Sequence, residues 1–296
     1  LKRIKLPGLE GLSFYDLIEL YVLGIVNGAL TTRASAIAFS FFTAIFPFLL
    51  FVIILIPYIP IPNFRREFLD FLEFNLPPQT TEFLIDRIFE DMSSTSSGGL
   101  ISSVFILSIF LMANGVNAVF TGFEGSYHRQ QYRNIFRQYL SAMGIALLLA
   151  IMLLVTVAVF GYFQIYVIQP LYESFSGEVF AKDNQGLGWI IVAKYLFFVV
   201  MVYLATATLY YFGTKEGKQS NFFSVGALLT TLLIILTSYL FGVYIENFSQ
   251  YNELYGSIGG LLILLLYLWL NSNILLLGYE LNASLQFLRK YPKEED

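Results

Sequence analysis

The segment that decides the fold is Tyr255-Gly-Ser-Ile-Gly-Gly-Leu-Leu-Ile-Leu-Leu-Leu-Tyr-Leu-Trp-Leu-Asn-Ser-Asn-Ile-Leu-Leu-Leu-Gly-Tyr-Glu-Leu-Asn282. Between Ile258 and Leu281 it carries one formal charge, Glu280, close to its far end. A helix of that length is roughly 36 Å long, enough to cross a hydrocarbon core of about 30 Å. Asn271 and Asn273 fall near the middle, where an unpaired amide is costly. The segment therefore reads as a membrane span whose polar face turns toward protein or water.

The rest of the chain agrees. Of its 296 residues 57% are hydrophobic and only 13% charged, against about 25% charged in a soluble domain. There is no Cys and one His, so disulfides, thiolate catalysis and a multi-histidine metal centre within one chain are excluded. The net charge of −4 offers no basic footprint for nucleic acid. Residues 1–10 are charged and lack a following apolar region with a cleavage site, so the first span is expected to act as its own insertion signal.

Working outward, Ser13 to Leu30 reads as an amphipathic helix on the membrane surface, ended by Arg33. Span 1 is expected over Ala34–Tyr58, with Ala36, Ser40 and Ala44 as a ladder of small residues and Pro47 near mid-depth. Asn63 to Ser97 reads as an amphipathic helical pair outside the membrane. Spans 2 to 5 are expected over Leu100–Phe123, Tyr139–Ile168, Leu187–Phe212 and Asn221–Phe248, and a polar tail over 283–296. The fold class is thus all-α: a single six-span membrane domain with an N-terminal amphipathic helix and an extracytoplasmic helical hairpin between spans 1 and 2. Twelve of the 17 Lys and Arg residues lie on the side of the two termini and four on the other, with Lys194 inside span 4, which predicts both termini in the cytoplasm. No internal repeat supports an inverted-repeat transporter.

This topology sorts the polar residues by depth. Arg33, Asn114, Asn117, Glu124, Glu280 and Asn282 fall in the cytoplasmic half, Lys194 and Glu246 in the outer half, and Asn271 and Asn273 near the middle. Asn273 and Glu280 share a helical face. Arg33 is at the right depth to pair with Glu280, or both line a cytoplasm-facing cavity. Two readings stand for Asn114, Asn117, Asn271 and Asn273: hydrogen-bonded glue between helices, or the lining of a substrate path. Glu280, near the expected helix end, could snorkel to the interface. Lys194 is read either as a lipid-headgroup or substrate contact or as a partner of Glu246. Gly256 and Gly260 have small-xxx-small spacing, for close packing or an exposed helix N-terminus that binds an anion. His128 reads as a surface residue, with a proton relay as the lesser alternative.

Arg33-Ala34-Ser35-Ala36-Ile37-Ala38-Phe39 followed by Phe46-Pro47, together with Tyr255-Gly256-Ser257-Ile258-Gly259-Gly260 and Gly278-Tyr279-Glu280-Leu281-Asn282, resembles the first- and last-span signatures of the YihY/BrkB family. Tyr279 stands where that family usually has a small residue. The resemblance implies a six-span protein of the bacterial cytoplasmic (inner) membrane. Its members have carried the names ribonuclease BN and virulence factor, and some are discussed as transporters of lipid-like molecules. No nuclease constellation is visible, so a non-enzymatic protein without cofactors is expected. The expected partners are membrane lipids and a lipid-like or amphipathic substrate, moved past polar residues of spans 1, 2, 4 and 6, with oligomerisation open. The alternative is a non-transporting envelope scaffold.

Overall fold

The computed structural model describes Glu19, Val22 and residues 29–55, 98–126, 134–163, 185–214, 217, 221–248 and 258–290. Among these residues there are six long helices: α1 Leu30–Leu55, α2 Gly98–Glu124, α3 Ile135–Phe163, α4 Gln185–Gly213, α5 Val225–Phe248 and α6 Ile258–Lys290. Each is long and apolar enough to cross a bilayer. The chain is an all-α integral membrane protein with six transmembrane helices, because in hydrocarbon a helix satisfies every backbone group within its own segment. The amphipathic pair expected over 63–97, the 13–30 helix apart from Glu19, Val22, Ala29 and Leu30, His128, Tyr255 and Gly256 lie outside the described residues.

Several boundaries differ from the expectation for local reasons. Arg33 does not end a preceding helix. It sits in the first turn of α1, which starts after Ala29, a residue with φ 45° whose carbonyl accepts from the amides of Thr32 and Arg33. α3 begins four residues earlier than expected because the Asn134 side chain caps the Phe136 amide at 3.1 Å. α6 runs on to Lys290, so the boundary drawn at 282/283 falls inside a helix and Glu280 is not near a helix end. Pro47 is inside α1, and its missing N–H is tolerated in a membrane helix.

The chain divides into two compact units: residues 1–45, 110–146 and 203–296, and residues 46–109 and 147–202. In the second, Phe51 stacks on Phe105 with ring centroids 5.3 Å apart. In the first, Ala44 alone of the expected small-residue ladder is seen against α2, since Ala36 is exposed and Ser40 bonds back within α1. A methyl at Gly115 would lie 3.2 Å from Ala44 Cβ, and one at Gly122 would lie 2.8 Å from Ile37 Cδ1. The two glycines are seven residues apart on one face, so α2 can approach α1 closely. α5 and α6 pack tightest at Gly226 and Gly278, as described below.

Candidate functional site

The polar residues of the first unit converge on Glu280, which is 0% exposed. Both carboxylate oxygens have donors. Arg33 Nη2 donates to Oε1 at 2.8 Å, and Ser126 Oγ donates to Oε2 at 2.7 Å. The pair expected from depth is therefore formed, while the snorkelling reading of Glu280 is overturned: α6 continues ten residues beyond it and its side chain faces other helices.

Arg33 also donates from Nη1 to the Gly122 carbonyl at 2.7 Å. The end of α2 explains why that carbonyl is free. The Ser126 amide turns back to the Phe123 carbonyl and the Gly125 amide to the Thr121 carbonyl, leaving Gly122 O without its intrahelical donor. A guanidinium at a helix C-terminus is also favoured by the helix dipole. A methyl at Gly125 would sit 3.1 Å from Arg33 Cδ, so the glycine leaves room for the side chain. One cation thus ties the start of α1, the end of α2 and α6 together.

Beside this ion pair lies a ring cluster. Phe123 stacks on Tyr279 with centroids 4.2 Å apart and an angle of 13° between planes, and meets Tyr210 edge-on at 5.5 Å. Tyr279, the departure from the family pattern, is buried and forms this stack. The Tyr210 hydroxyl donates to the Leu275 carbonyl at 2.7 Å, and so accepts from the Thr230 hydroxyl. Gly278 sits against both groups. A methyl there would overlap the Thr230 hydroxyl and come within 2.6 Å of the Tyr210 hydroxyl.

Asn282 is neither free nor exposed to a cavity alone; it caps α5 in trans. Its Oδ1 accepts from the Gly226 amide at 2.8 Å, and its Nδ2 donates to Ser224 Oγ at 2.9 Å, which itself accepts from the Ala227 amide. Two of the orphan amides at the start of α5 are satisfied this way. Asn282→Ala is expected to destabilise the protein by about 1–2 kcal/mol in a denaturation titration, the usual cost of losing a cap. Thr230→Ser should cost less. A cavity of about 10 Å³, room for one water, lies among Tyr210, Thr214, Tyr279, Asn282, Ala283 and Gln286.

The remaining candidates separate. Asn271 Nδ2 donates to the Tyr267 carbonyl at 2.9 Å and Asn273 Nδ2 to the Trp269 carbonyl at 2.7 Å, both within α6. Among the described residues the buried Asn271 Oδ1 has no partner. Ser35 is exposed on α1 and its hydroxyl accepts from Trp269 Nε1 at 3.2 Å while donating to the Thr31 carbonyl. Ser40 bonds back to the Ala36 carbonyl. Asn114 accepts from the Tyr139 hydroxyl of α3 at 3.0 Å, and Asn117 makes no side-chain hydrogen bond among the described residues. Gly259 is buried at the start of α6, whereas a methyl at Gly260 would meet nothing within 4 Å, so Gly260 is not a close-packing glycine among the described residues. Lys194 lies in α4, but its side chain and that of Glu246 are outside the described residues.

Sequence reasoning missed Ser126, Gly122, Tyr210, Thr230 and Gly226. Ser126 stands in an unremarkable loop, and Thr230 is an isolated hydroxyl in an apolar span; neither carries a local signal. Among the described residues no group of three or more His, Cys, Asp or Glu side chains could hold a metal ion.

Comparison with known proteins agrees with the end motifs. The family model described as virulence factor BrkB matches residues 24–296. The chain is 27% identical over 267 residues to the "Putative ribonuclease-like protein YfkH" of Bacillus subtilis (strain 168), covering 89% of this chain and 92% of that one. It is 25% identical over 253 residues to a "UPF0761 membrane protein" of Coxiella burnetii (strain Dugway 5J108-111), with 83% and 84% covered. A "UPF0761 membrane protein" of Xanthomonas oryzae pv. oryzae (strain PXO99A) is 23% identical over 273 residues, 90% of this chain and 60% of the relative. No solved structure matches the chain significantly. With a family model spanning nearly all of it and six helices of membrane-crossing length, the chain belongs to the virulence factor BrkB family of membrane proteins.

Proposed function

We propose that this protein moves a lipid-like or amphipathic molecule along the face shared by α1 and α6. The observation that carries the reading is the mid-span amide of Asn273, on the same face of α6 as Trp269, which bonds to Ser35 of α1. Its Nδ2 bonds only to the Trp269 carbonyl of its own helix, so it holds no two helices together among the described residues. Such groups are expensive in hydrocarbon and persist where they face a polar path. The exposed Ser35 and its bond to Trp269 continue the polar line on the facing helix. The reading is non-enzymatic, since the buried carboxylate Glu280 is fully engaged by Arg33 and Ser126. It places the protein in a bacterial cytoplasmic membrane with both termini inside, on the Lys and Arg distribution.

Reconstitution in liposomes with fluorescent phospholipids, followed by quenching from outside, tests it. Wild type should equilibrate the label between leaflets far faster than protein-free vesicles. Asn273→Leu should slow it about tenfold, the equivalent of one lost hydrogen bond of about 1.4 kcal/mol in the rate-limiting step. No movement by wild type across zwitterionic, anionic and neutral lipids would overturn the proposal. It would leave the second reading, a non-transporting envelope scaffold, which is favoured by the engagement of Arg33, Glu280 and Asn282 in helix–helix contacts.

A further inference from the structure

The polar groups along α1 and α6 have a hydrogen-bond polarity that the helices themselves impose. Ser35, Phe39 and Thr43 are exposed and recur at four-residue steps on one face of α1. The Ser35 hydroxyl donates to the Thr31 carbonyl at 2.9 Å and the Thr43 hydroxyl to the Ser40 carbonyl at 3.0 Å. On α6 the half-buried Asn273 spends an amide hydrogen on the Trp269 carbonyl at 2.7 Å, and the Trp269 indole N–H goes to Ser35 Oγ at 3.2 Å. A carbonyl accepts only from the NH2 end of an amide, so the orientation of Asn273 is fixed. What remains open is mostly lone pairs. Ser35 keeps one, Thr43 keeps two, and Asn273 keeps its carbonyl oxygen against a single N–H, with no further partner among the described residues. To donate outward, either hydroxyl must give up its carbonyl, which is costly in hydrocarbon. Thr32, the exposed hydroxyl in the first turn of α1, stands at the end of the span rather than along it. No cation stands beside these lone pairs. Arg33, the one cation of α1, is 12% exposed with both Nη groups spent on Glu280 and Gly122, and those of α6, Arg289 and Lys290, are at its far end.

We propose that this acceptor-rich wall selects its cargo by the donors of the headgroup, and carries an uncharged polyol headgroup, a sugar or glycerol, in preference to a phosphate-bearing one. The inference rests on the transport reading of the same face and names its substrate class. A hydroxyl-rich headgroup brings O–H donors to the lone pairs of Ser35, Thr43 and Asn273, and replaces there the water it leaves behind. A phosphate brings only acceptors, together with a negative charge that meets no cation on the wall. A primary ammonium recovers part of the match through its N–H groups, and a quaternary ammonium, with none, recovers nothing. The order of transfer follows from this: a glucosyl diacylglycerol first, phosphatidylethanolamine second, phosphatidylcholine last.

The test is a headgroup series in liposomes holding the full chain. Each lipid carries the same fluorescent acyl chain, so that the headgroup is unmodified, and its transfer rate is corrected for protein-free vesicles. Wild type should move the glucosyl lipid about tenfold faster than phosphatidylcholine, the equivalent of one hydrogen bond in the rate-limiting step, with phosphatidylethanolamine between them. Stepwise N-methylation of the ethanolamine should lower its rate toward that of choline. Thr43→Val, which keeps the shape and removes the acceptor, should narrow the glucosyl-to-choline ratio by about threefold or more, and Ser35→Ala should do the same. Because the ratio is internal to each preparation, a lower yield of folded variant does not change it. Equal rates for the three headgroups, or choline fastest, would overturn the inference and leave the transport reading standing. So would a ratio unchanged in both variants. No movement of any lipid by wild type would remove the transport reading, and this inference with it.

Discussion

Arg33→Ala should destabilise the protein by about 3–5 kcal/mol, more than any other single polar replacement in the first unit. The substitution leaves Glu280 buried, with the Ser126 hydroxyl as its one remaining donor among the described residues, and strips the Gly122 carbonyl of its partner at the end of α2. The Arg33 side chain is only 12% exposed, so water cannot replace it cheaply. Glu280→Leu alone should cost a similar amount because the guanidinium is then stranded. The double change Arg33→Met with Glu280→Leu should recover most of the loss, since a buried ion pair is worth little net of desolvation while half of one is expensive. Unfolding in mixed micelles, followed by Trp fluorescence, measures all three. An Arg33→Ala protein within about 1 kcal/mol of wild type, or a double variant as unstable as the sum of the singles, would show that the pair is not the buried contact described.

Gly278→Ala and Gly226→Ala should be the next most damaging changes. Overpacking a tight contact typically costs about 1–3 kcal/mol, and more when the obstructing atom cannot move. At Gly226 the obstruction is the Gly278 carbonyl, a backbone oxygen, with Asn282 2.6 Å away as well. That substitution is expected to exceed the usual range and to pull Asn282 off the start of α5. At Gly278 the nearest obstruction is the Thr230 hydroxyl, a side chain, so Gly278→Ala with Thr230→Ala should be more stable than Gly278→Ala alone. Gly260→Ala, Gly144→Ala and Gly242→Ala are the controls: among the described residues nothing lies within 4 Å of a methyl at any of them, and each should fall within about 0.5 kcal/mol of wild type. Thermal unfolding in detergent distinguishes the two groups. Equal losses at 278 and 260 would contradict the close approach of α5 and α6.

Much of the fold was legible because bilayer thickness imposes a length that hydrophobic runs must meet. All six spans were located, and the pairing of Arg33 with Glu280 was one of the two readings that depth and charge allowed, the other being a shared cytoplasm-facing cavity. Helix ends were read less well. α6 was stopped at Asn282 because the sequence turns polar beyond it, yet Ser284 is polar inside a helix that continues, bonding back to the Glu280 carbonyl. Glycines were read by spacing, which picked Gly260, in open space, and passed over Gly226, where the backbones touch.

Composition, span length and charge order are properties of the linear chain, and a bilayer converts them directly into six helices and a topology, because one-dimensional hydrophobicity decides which segments leave water. The roles of the polar residues are not of that kind. Asn114, Asn271, Asn273 and Asn282 look alike in sequence, yet one bridges α2 and α3, two bond within α6, and one caps α5. Those assignments depend on helix rotation and on approach distances of a few tenths of an ångström, set by where glycines such as Gly122, Gly226 and Gly278 let neighbouring backbones close in, and no pattern along the chain encodes the partner across that gap.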